Sequence, residues 1–347
     1  MIGSGHYVPG EPVTNAMLAK VMETDDEWIY KRTGIRQRHF APEGVGASDL
    51  AVEAAKRAIE SAELTPKDID YIVFATMTPD YLFPGSGGLL GAKLGIHGVP
   101  ALDIRQQCAS APFAFQVADG LVNTGAAKHI LVVGAEAHAG FMPWRDWDVV
   151  HGLSDRAVDP ADHARATRHR SLAILFGDGS GALVMKKAEE PGRGLIGAEV
   201  HTNGELAKQI YIEGGGFRRR PYWSPAMFER EEHIPSMDGR DLFRHAVTKL
   251  PEVVRSVCKK HNVDLSEIDW FMAHQANDRI NSAVTESLGV DPARVPSNVA
   301  RFGNTSSATI PILMDEMMRS GRLKKGQLLC FLALGSGLHW GAALMRL

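Results

Sequence analysis

The chain is poor in the features that mark secreted, membrane-spanning and nucleic-acid-binding proteins. Its 347 residues include only three cysteines, an odd and widely spaced set that does not form a disulfide framework. No apolar run of about 18 residues predicts a membrane span, and no basic segment followed by an apolar one predicts a signal peptide. The 38 basic and 41 acidic residues nearly cancel, which gives no reason to expect nucleic acid as a partner. A cytoplasmic protein with free thiols is expected.

What the chain does have is enough apolar sequence to bury a large core. Hydrophobic residues make up 44% of it, and short strand-like runs alternate with helix-like patterns. This alternation predicts an α/β fold built of layered sheets and helices. None of the fourteen histidines shows metal-ligand spacing with cysteine, so no metal site is predicted.

Cys108 is the first candidate for chemistry. It lies between a short apolar strand pattern and a helical pattern that starts near Phe113. A thiol at such a turn faces unpaired backbone N–H groups and the positive end of a helix dipole, which predicts a lowered thiol pKa. The alternative is a small buried hydrophobic residue, the commoner role of a lone cysteine. That role is expected for Cys258 and Cys330.

Two distant segments supply partners for a nucleophilic thiol. His274 follows the apolar run Trp270–Ala273, and Asn304 lies in a glycine-containing loop before another helical pattern. Each feature alone is more often structural. Cysteine, histidine and asparagine, each at the end of an element, together make up a thiol nucleophile with two polarising donors.

An internal duplication places these residues relative to one another. Ile69–Ala75 resembles Ile268–His274, and both Cys108 and Asn304 precede a helical pattern that ends at a glycine 17 residues later. Such a repeat predicts one doubled βα unit. Cys108 and Asn304 are then expected at pseudo-symmetric helix starts that face each other.

Six motifs along nearly the whole chain resemble the β-ketoacyl-acyl-carrier-protein synthase III family of condensing enzymes. They are Gly3–Pro9, Thr24–Arg36, Leu175–Ala182, His274–Asn277, Gly303–Ser306 and Gly335–Gly341. The resemblance implies a thiolase-like α/β fold of two pseudo-duplicated halves in five α-β-α-β-α layers. Residues 1–190 would form the half with the nucleophile, including an insertion at about 140–168, and 191–347 the half with the histidine and asparagine.

The resemblance also implies a reaction. Cys108 would take an acyl group from acyl-CoA, and a malonyl thioester on acyl carrier protein or coenzyme A would lose carbon dioxide. His274 and Asn304 would stabilise the resulting enolate, which attacks the acyl-cysteine in the initiation of fatty-acid synthesis. The family acts as a homodimer and needs no cofactor beyond these substrates.

Further positions take roles only through this resemblance. The backbone N–H groups of Cys108 and Ser336 would form an oxyanion hole, with Ser336 where the family usually has glycine. Coenzyme A and pantetheine would contact Trp28, Arg36, Arg170 and Asn277. The acyl pocket would include Phe83, reaching into the partner subunit, with Phe243 and Leu334. Carrier-protein docking would use Arg244, Lys249 and Arg279. The aromatic residues fit ordinary core positions equally well.

Two departures from the family keep a second function open. About twenty extra residues lie between Glu136 and Phe176, near the expected acyl pocket, and the helix after His274 is poor in basic residues. Ala333–Gly335 lacks the second cysteine of a thiolase, so decarboxylation must supply the carbanion. A specialised relative that primes secondary metabolism or joins two acyl-CoAs head to head remains the alternative. A non-enzymatic binding protein is least favoured, because it would not need the three candidate residues together.

Overall fold

The computed structural model describes residues 1–347. Its strands are β1 Gly3–Tyr7, β2 Val13–Thr14, β3 Gln37–Arg38, β4 Tyr71–Ala75, β5 Ala101–Ile104, β6 His129–Glu136, β7 Gly179–Lys186, β8 Gly194–Thr202, β9 Ile210–Tyr211, β10 Ser236–Met237, β11 Trp270–Ala273, β12 Leu328–Gly335 and β13 His339–Arg346. Its helices are α1 Asn15–Leu18, α2 Asp26–Thr33, α3 Ala47–Ser61, α4 Ser86–Lys93, α5 Ser110–Asn123, α6 Trp147–Val150, α7 Pro160–Arg168, α8 Arg170–Ala173, α9 Pro225–Glu229, α10 Gly239–Lys260, α11 Asp278–Leu288, α12 Val299–Phe302 and α13 Thr309–Arg319.

Two mixed sheets carry the fold. The first has the strand order β1-β7-β6-β4-β5, with β4 parallel to both β5 and β6. The second has the order β11-β12-β13-β8, with β11 parallel to β12 and the other pairs antiparallel. The first sheet therefore uses only strands up to Lys186, and the second only strands from Gly194 onward.

Helices cover both sheets and separate them. The helices α3 and α4 pack on the outer face of the first sheet, and α10 and α11 pack on the outer face of the second. Between the sheets lie α5 and α13, where Phe115 meets Phe331 with ring centroids 4.8 Å apart. Central strands such as β6 are buried on both faces, which explains their continuous apolar sequence. The predicted five-layered arrangement is confirmed.

The duplication is real, but it pairs different residues from those expected. The 3₁₀ turn Gln107–Ala109 leads into α5, and the 3₁₀ turn Ser306–Ala308 leads into α13. The two turns start 199 residues apart, and so do β4 and β11. The pseudo-symmetric partner of Cys108 is therefore Ser307, and the pairing with Asn304 is wrong. Cys108 and Asn304 have equal spacing to the glycine after each helix, but α5 has 14 residues and α13 has 11. Counting back from the end of a helix therefore does not locate its start.

The insertion packs on the N-terminal excursion of the first half. Phe141, Trp144 and Val150 are buried in one cluster with Leu18 and Phe40. Charged side chains take the other face of the segment. The apolar face gives the insertion a fixed position beside the first half. No helix of the protein has the length and apolar character needed to cross a bilayer.

Candidate active site

Cys108 lies at the end of the first sheet, in the 3₁₀ turn before α5. The turn is held against the end of β12, because a Cβ on Gly335 would lie only 2.8 Å from the backbone nitrogen of Cys108. Only glycine permits this approach. Gln107 has a φ of +51°, an uncommon backbone conformation for a residue with a side chain. Such outliers concentrate at functional sites.

The Cys108 thiol is protonated in the free enzyme near neutral pH. Burial raises its pKa to about 12, and the nearby negative charge of Glu136 acts in the same direction. Hydrogen bonds with Ser306 and Asn304 oppose the rise. The lowered pKa expected from the sequence is wrong for this state, since desolvation of the thiolate outweighs the helix dipole. Cys258 and Cys330 are buried in the core beside α10, as predicted.

His274 directly follows β11 and is 6% exposed. Its Nδ1 lies 2.6 Å from Thr309 Oγ1, whereas its buried Nε2 has no hydrogen-bond partner. Burial lowers the pKa of the imidazole to about 3, so the ring is uncharged at neutral pH. An unpartnered buried ring nitrogen is costly in a native protein and marks a functional position.

Ser306 connects the three predicted catalytic residues. Its Oγ lies 3.4 Å from Cys108 Sγ, and its backbone N–H donates to Asn304 Oδ1 at 2.8 Å. Its carbonyl accepts a hydrogen bond of 3.0 Å from Thr309, which contacts His274. Cysteine, histidine and asparagine are thus brought into one hydrogen-bonded centre.

Sequence reasoning missed Ser306 as a functional residue. In the sequence, Ser306 is only the last residue of the motif that contains Asn304. The signal was present in the repeat, because Ser306 corresponds to Gln107 at the offset of 199 residues. Both residues have a positive φ, which is +48° for Ser306.

Glu136 is a second residue that sequence reasoning missed. It is fully buried at the end of β6, and its carboxylate accepts hydrogen bonds from the N–H groups of Met77, Thr78 and Ser307. The hydroxyls of Ser307 and Thr78 each add a bond of 2.7 Å. A buried carboxylate needs such a full set of donors. The available signal was a charged residue at the end of an otherwise apolar strand.

Ser336 lies on the same cavity as Cys108. Its hydroxyl donates to the carbonyl of Ile210 at 2.6 Å, and its φ is not positive. The residue therefore fits where the family usually has glycine. Its backbone role in an oxyanion hole stays a prediction.

The residues predicted to bind coenzyme A gather around α2. Two guanidinium groups lie near the Trp28 ring, with Arg32 at 4.2 Å and Arg170 at 4.7 Å from its centroid. Arg170 is anchored by a 2.6 Å hydrogen bond to the carbonyl of Glu23. Arg36 stacks on the Tyr30 ring at 3.9 Å. The arrangement presents an indole and several cations at one surface.

Asn277 has a structural task that the sequence did not suggest. Its Oδ1 caps α11, and its Nδ2 donates to the carbonyl of Arg32 at 2.9 Å. It thereby ties α11 to the end of α2. A contact with pantetheine stays a prediction.

A cavity of about 1440 Å³ opens at Cys108. Its wall includes Met77, Phe141, Trp144, Trp147, Phe176, Tyr211, Phe217, Trp223 and Phe228. The three residues predicted for the acyl pocket are not in this wall: Phe83 is 76% exposed, Phe243 lies beside Arg279 and Leu334 pairs with Trp340 in the second sheet. Their roles in the acyl pocket stay predictions. The insertion, by contrast, supplies much of the wall.

The predicted docking residues lie on α10 and α11 and are already engaged. Arg244 pairs with Asp241, Lys249 Nζ lies 4.1 Å from the Trp340 centroid and Arg279 stands 6.0 Å from that of Phe243. The pairing with Asp241 reduces the positive charge of this surface. No group of three or more histidine, cysteine, aspartate or glutamate side chains has the geometry to hold a metal ion.

Comparison with known proteins identifies one family. A family model described as 3-oxoacyl-[acyl-carrier-protein] synthase III matches residues 102–158 and 151–204, and the C-terminal model of the same family matches 258–347. A β-ketoacyl-[acyl-carrier-protein] synthase III from Rhizorhabdus wittichii is 38% identical over 346 residues, covering 100% of this chain and 98% of that protein.

Solved structures show the same similarity. The 3-oxoacyl-[acyl-carrier-protein] synthase III from Aquifex aeolicus has a TM-score of 0.84 and 35% identity, covering 100% of this chain and 99% of that one. The priming β-ketosynthase from the R1128 polyketide biosynthetic pathway has a TM-score of 0.85 and 27% identity, covering 100% of this chain and 95% of that one.

Proposed function

This chain belongs to the 3-oxoacyl-[acyl-carrier-protein] synthase III family, and on that premise we propose that it is an acyltransferase of fatty-acid initiation. It condenses an acyl group taken from acyl-CoA with a malonyl thioester to give a β-ketoacyl thioester. The observation that carries the proposal is the single hydrogen-bonded centre in which Ser306 connects Cys108, His274 and Asn304.

The first half-reaction loads the enzyme. Cys108 Sγ attacks the carbonyl carbon of acyl-CoA, the bond from that carbon to the coenzyme A sulfur breaks, and the thiol proton leaves with coenzyme A. Because the thiol pKa is about 12 in the free enzyme, the proton must leave as the bond forms. Substrate binding therefore has to precede activation of the thiol.

The second half-reaction forms the new carbon–carbon bond. The malonyl carboxylate departs as carbon dioxide, and its electron pair forms an enolate that attacks the acyl carbon and expels Cys108 as thiolate, which regains a proton. His274 Nε2 and the Asn304 amide donate hydrogen bonds to the enolate oxygen, at about 3 kcal/mol each. In this role His274 carries its proton on Nε2, which requires the Thr309 hydroxyl to turn its proton from the Ser306 carbonyl towards His274 Nδ1. No cofactor takes part.

The direct test is acylation of the enzyme, followed by intact-protein mass spectrometry. The wild type and the Cys258→Ser and Cys330→Ser controls should gain the acyl mass from acyl-CoA, and Cys108→Ser should not. Acylation of the Cys108→Ser protein would refute the assignment. Both control cysteines are buried away from the cavity, so they match the nucleophile in chemistry and differ in position.

We propose that the malonyl group arrives on acyl carrier protein, at the surface of Arg244, Lys249 and Arg279. Arg244 and Lys249 lie on α10 and Arg279 lies on α11. Electrostatic attraction of an acidic carrier at this surface would weaken with salt. Replacing all three with alanine should raise the KM for malonyl-acyl carrier protein and leave Cys108 acylation unchanged.

We further propose a homodimer that works in the cytoplasm. The edge strand β5 is unpaired on one side, and Tyr81, Leu82 and Phe83 expose a contiguous apolar loop. Exposed edges and apolar patches of this kind are usually covered by a partner. The three unpaired cysteines suit a reducing compartment. Phe83→Asp should shift the protein towards monomer in analytical ultracentrifugation.

A second candidate is a priming synthase of secondary metabolism, which the cavity at Cys108 favours. The insertion supplies part of its wall, and one of the similar structures is a priming ketosynthase of a polyketide pathway. The two functions differ in the carrier that accepts the product. Comparing malonyl groups on fatty-acid and polyketide carrier proteins as acceptors separates them.

A further inference from the structure

We propose that the cavity at Cys108 selects a medium- to long-chain aliphatic acyl group, so that the primer is much longer than an acetyl group. This inference rests on the proposed function, because it assumes that Cys108 carries the acyl group. It goes further by naming the substrate class that the site accepts.

The size of the cavity is the first argument. It measures about 1440 Å³ and includes Cys108 in its wall. Sites that enclose a drug-sized ligand measure about 300–1,000 Å³. A two-carbon acyl group on Cys108 would occupy only a small part of this volume, which is that of a single subunit. A long chain would fill it.

The construction of the wall is the second argument. One side comes from the insertion, with Phe141, Trp144 and Trp147, and the other from the segment 210–235. Glu231 joins the two sides, since its carboxylate pairs with Arg168 and lies 2.6 Å from His169 Nε2. The enlarged wall is therefore one connected structure whose aromatic faces point at the same space.

Apolar side chains at the mouth supply a third argument. Leu153, Ile212, Phe217 and Phe228 all line the cavity and are exposed to solvent. Water against such a group of apolar side chains is unfavourable, and a bound hydrocarbon chain would displace it. Each buried methylene contributes about 0.8 kcal/mol, which is about a fourfold gain in affinity.

The charges around the cavity argue against a charged acyl group. Glu43, Arg105 and Arg145 line it only at exposed positions. Asp148 pairs with Arg156, and Asp80 accepts hydrogen bonds from Ser48 and Ser86. No buried cation faces a carboxylate at the end of a bound chain. An uncharged hydrocarbon chain matches this lining.

The first experiment compares acetyl-CoA, octanoyl-CoA and lauroyl-CoA as acyl donors. The rate of Cys108 acylation is followed by intact-protein mass spectrometry at equal donor concentrations. Octanoyl or lauroyl transfer should be at least about tenfold faster than acetyl transfer. Full burial of fewer than two methylenes would already account for a difference of this size. Acetyl transfer as fast as either long chain would overturn this inference and leave the proposed function standing. Failure of every donor would reject the proposed function and this inference with it.

A second experiment fills the cavity from one side. Gly140 lies in the wall, and a Cβ added there meets no atom within 4 Å, so the backbone accepts a side chain at this position and Gly140→Phe adds bulk to the wall. Gly120 is an exposed glycine on α5 that also has free space and lies outside the cavity, so Gly120→Phe is the matched control.

In the Gly140→Phe enzyme the ratio of octanoyl to acetyl transfer should fall by about tenfold or more, whereas Gly120→Phe should keep the wild-type ratio. Circular dichroism establishes that both variants fold. A folded Gly140→Phe enzyme with the wild-type chain-length profile would show that the acyl chain does not enter this cavity.

Discussion

Ser306 Oγ lies 3.4 Å from Cys108 Sγ, although the two residues are 198 positions apart in the chain. The contact joins the turn before α5 to the turn before α13, the two helices that separate the sheets. The proposed nucleophile of one half thus contacts a hydroxyl of the other. Either half alone lacks a complete site, because the polar groups around the thiol come from both.

Replacing Ser306 with alanine should make the Cys108 thiol less reactive. The hydroxyl lowers the thiol pKa by hydrogen bonding to the thiolate, against the effect of burial. A hydrogen bond to a charged group is worth about 1.5–3 kcal/mol, so alkylation by iodoacetamide should slow about tenfold or more at fixed pH. Ser320→Ala, at the far end of α13, is the control for loss of a hydroxyl. Equal alkylation rates in Ser306→Ala and wild type would contradict the role.

Glu136→Gln should have the opposite effect on the thiol and still impair the enzyme. Removing the negative charge lowers the Cys108 pKa, so alkylation should become faster at a given pH. Condensation should fall, because an amide cannot accept all the hydrogen bonds that hold Ser307 and Thr78. A purely structural role would slow both measurements. Slower alkylation together with slower condensation would therefore argue against an electrostatic effect of Glu136 on the Cys108 thiol.

His274→Ala and Asn304→Ala should retain acylation of Cys108 and lose condensation. Both donors are assigned to the malonyl carbonyl, and losing one donor of about 3 kcal/mol slows the step roughly a hundredfold. Mass spectrometry follows acylation, and release of carbon dioxide from the malonyl thioester follows the second step. If both variants decarboxylate the malonyl thioester at the wild-type rate, His274 and Asn304 do not have these roles.

Alkylation of native Cys108 should keep rising with pH well beyond the point where an ordinary thiol levels off. The folded thiol, with a pKa of about 12, holds its proton at pH values where the unfolded thiol has lost it. Stability from this group is therefore complete below the unfolded pKa of about 8.5 and is lost as the pH rises towards 12. The measurement is the rate of alkylation by iodoacetamide from pH 7 to 10, in native and in urea-unfolded protein. The pH dependence of this rate should have a midpoint at ~8.5 only in the unfolded protein. A native plateau near that midpoint would be contrary evidence.

Trp28→Ala and Arg170→Ala should weaken acyl-CoA binding without changing the intrinsic reactivity of Cys108. The guanidinium of Arg170 lies over the Trp28 ring. An adenine base that stacks on this ring would lose an aromatic contact worth about 1–3 kcal/mol when Trp28 is replaced by alanine. The expected result is a rise of about tenfold in the KM for acyl-CoA, with acylation by a short acyl-pantetheine thioester unchanged. Equal losses with both donors would point to a folding defect.

Much of the site was accessible from the chain because it consists of local patterns. Cys108 and His274 each follow an apolar strand, and the motif around Asn304 stands before a helix. These positions depend on nearest neighbours along the backbone, so the sequence alone proposed the nucleophile and its two partners and predicted the layered α/β fold.

The rest depended on packing between distant segments. The thiol pKa reversed its expected direction because burial, which no local pattern measures, outweighs the helix dipole. Ser306 and Glu136 acquired their roles only when the two sheets met across α5 and α13. The cavity likewise exists only because the insertion and the segment 210–235 fold against each other through Glu231. Desolvation and long-range contacts are properties of the assembled layers, and they decided the reactivity of the thiol and the space available to its acyl group.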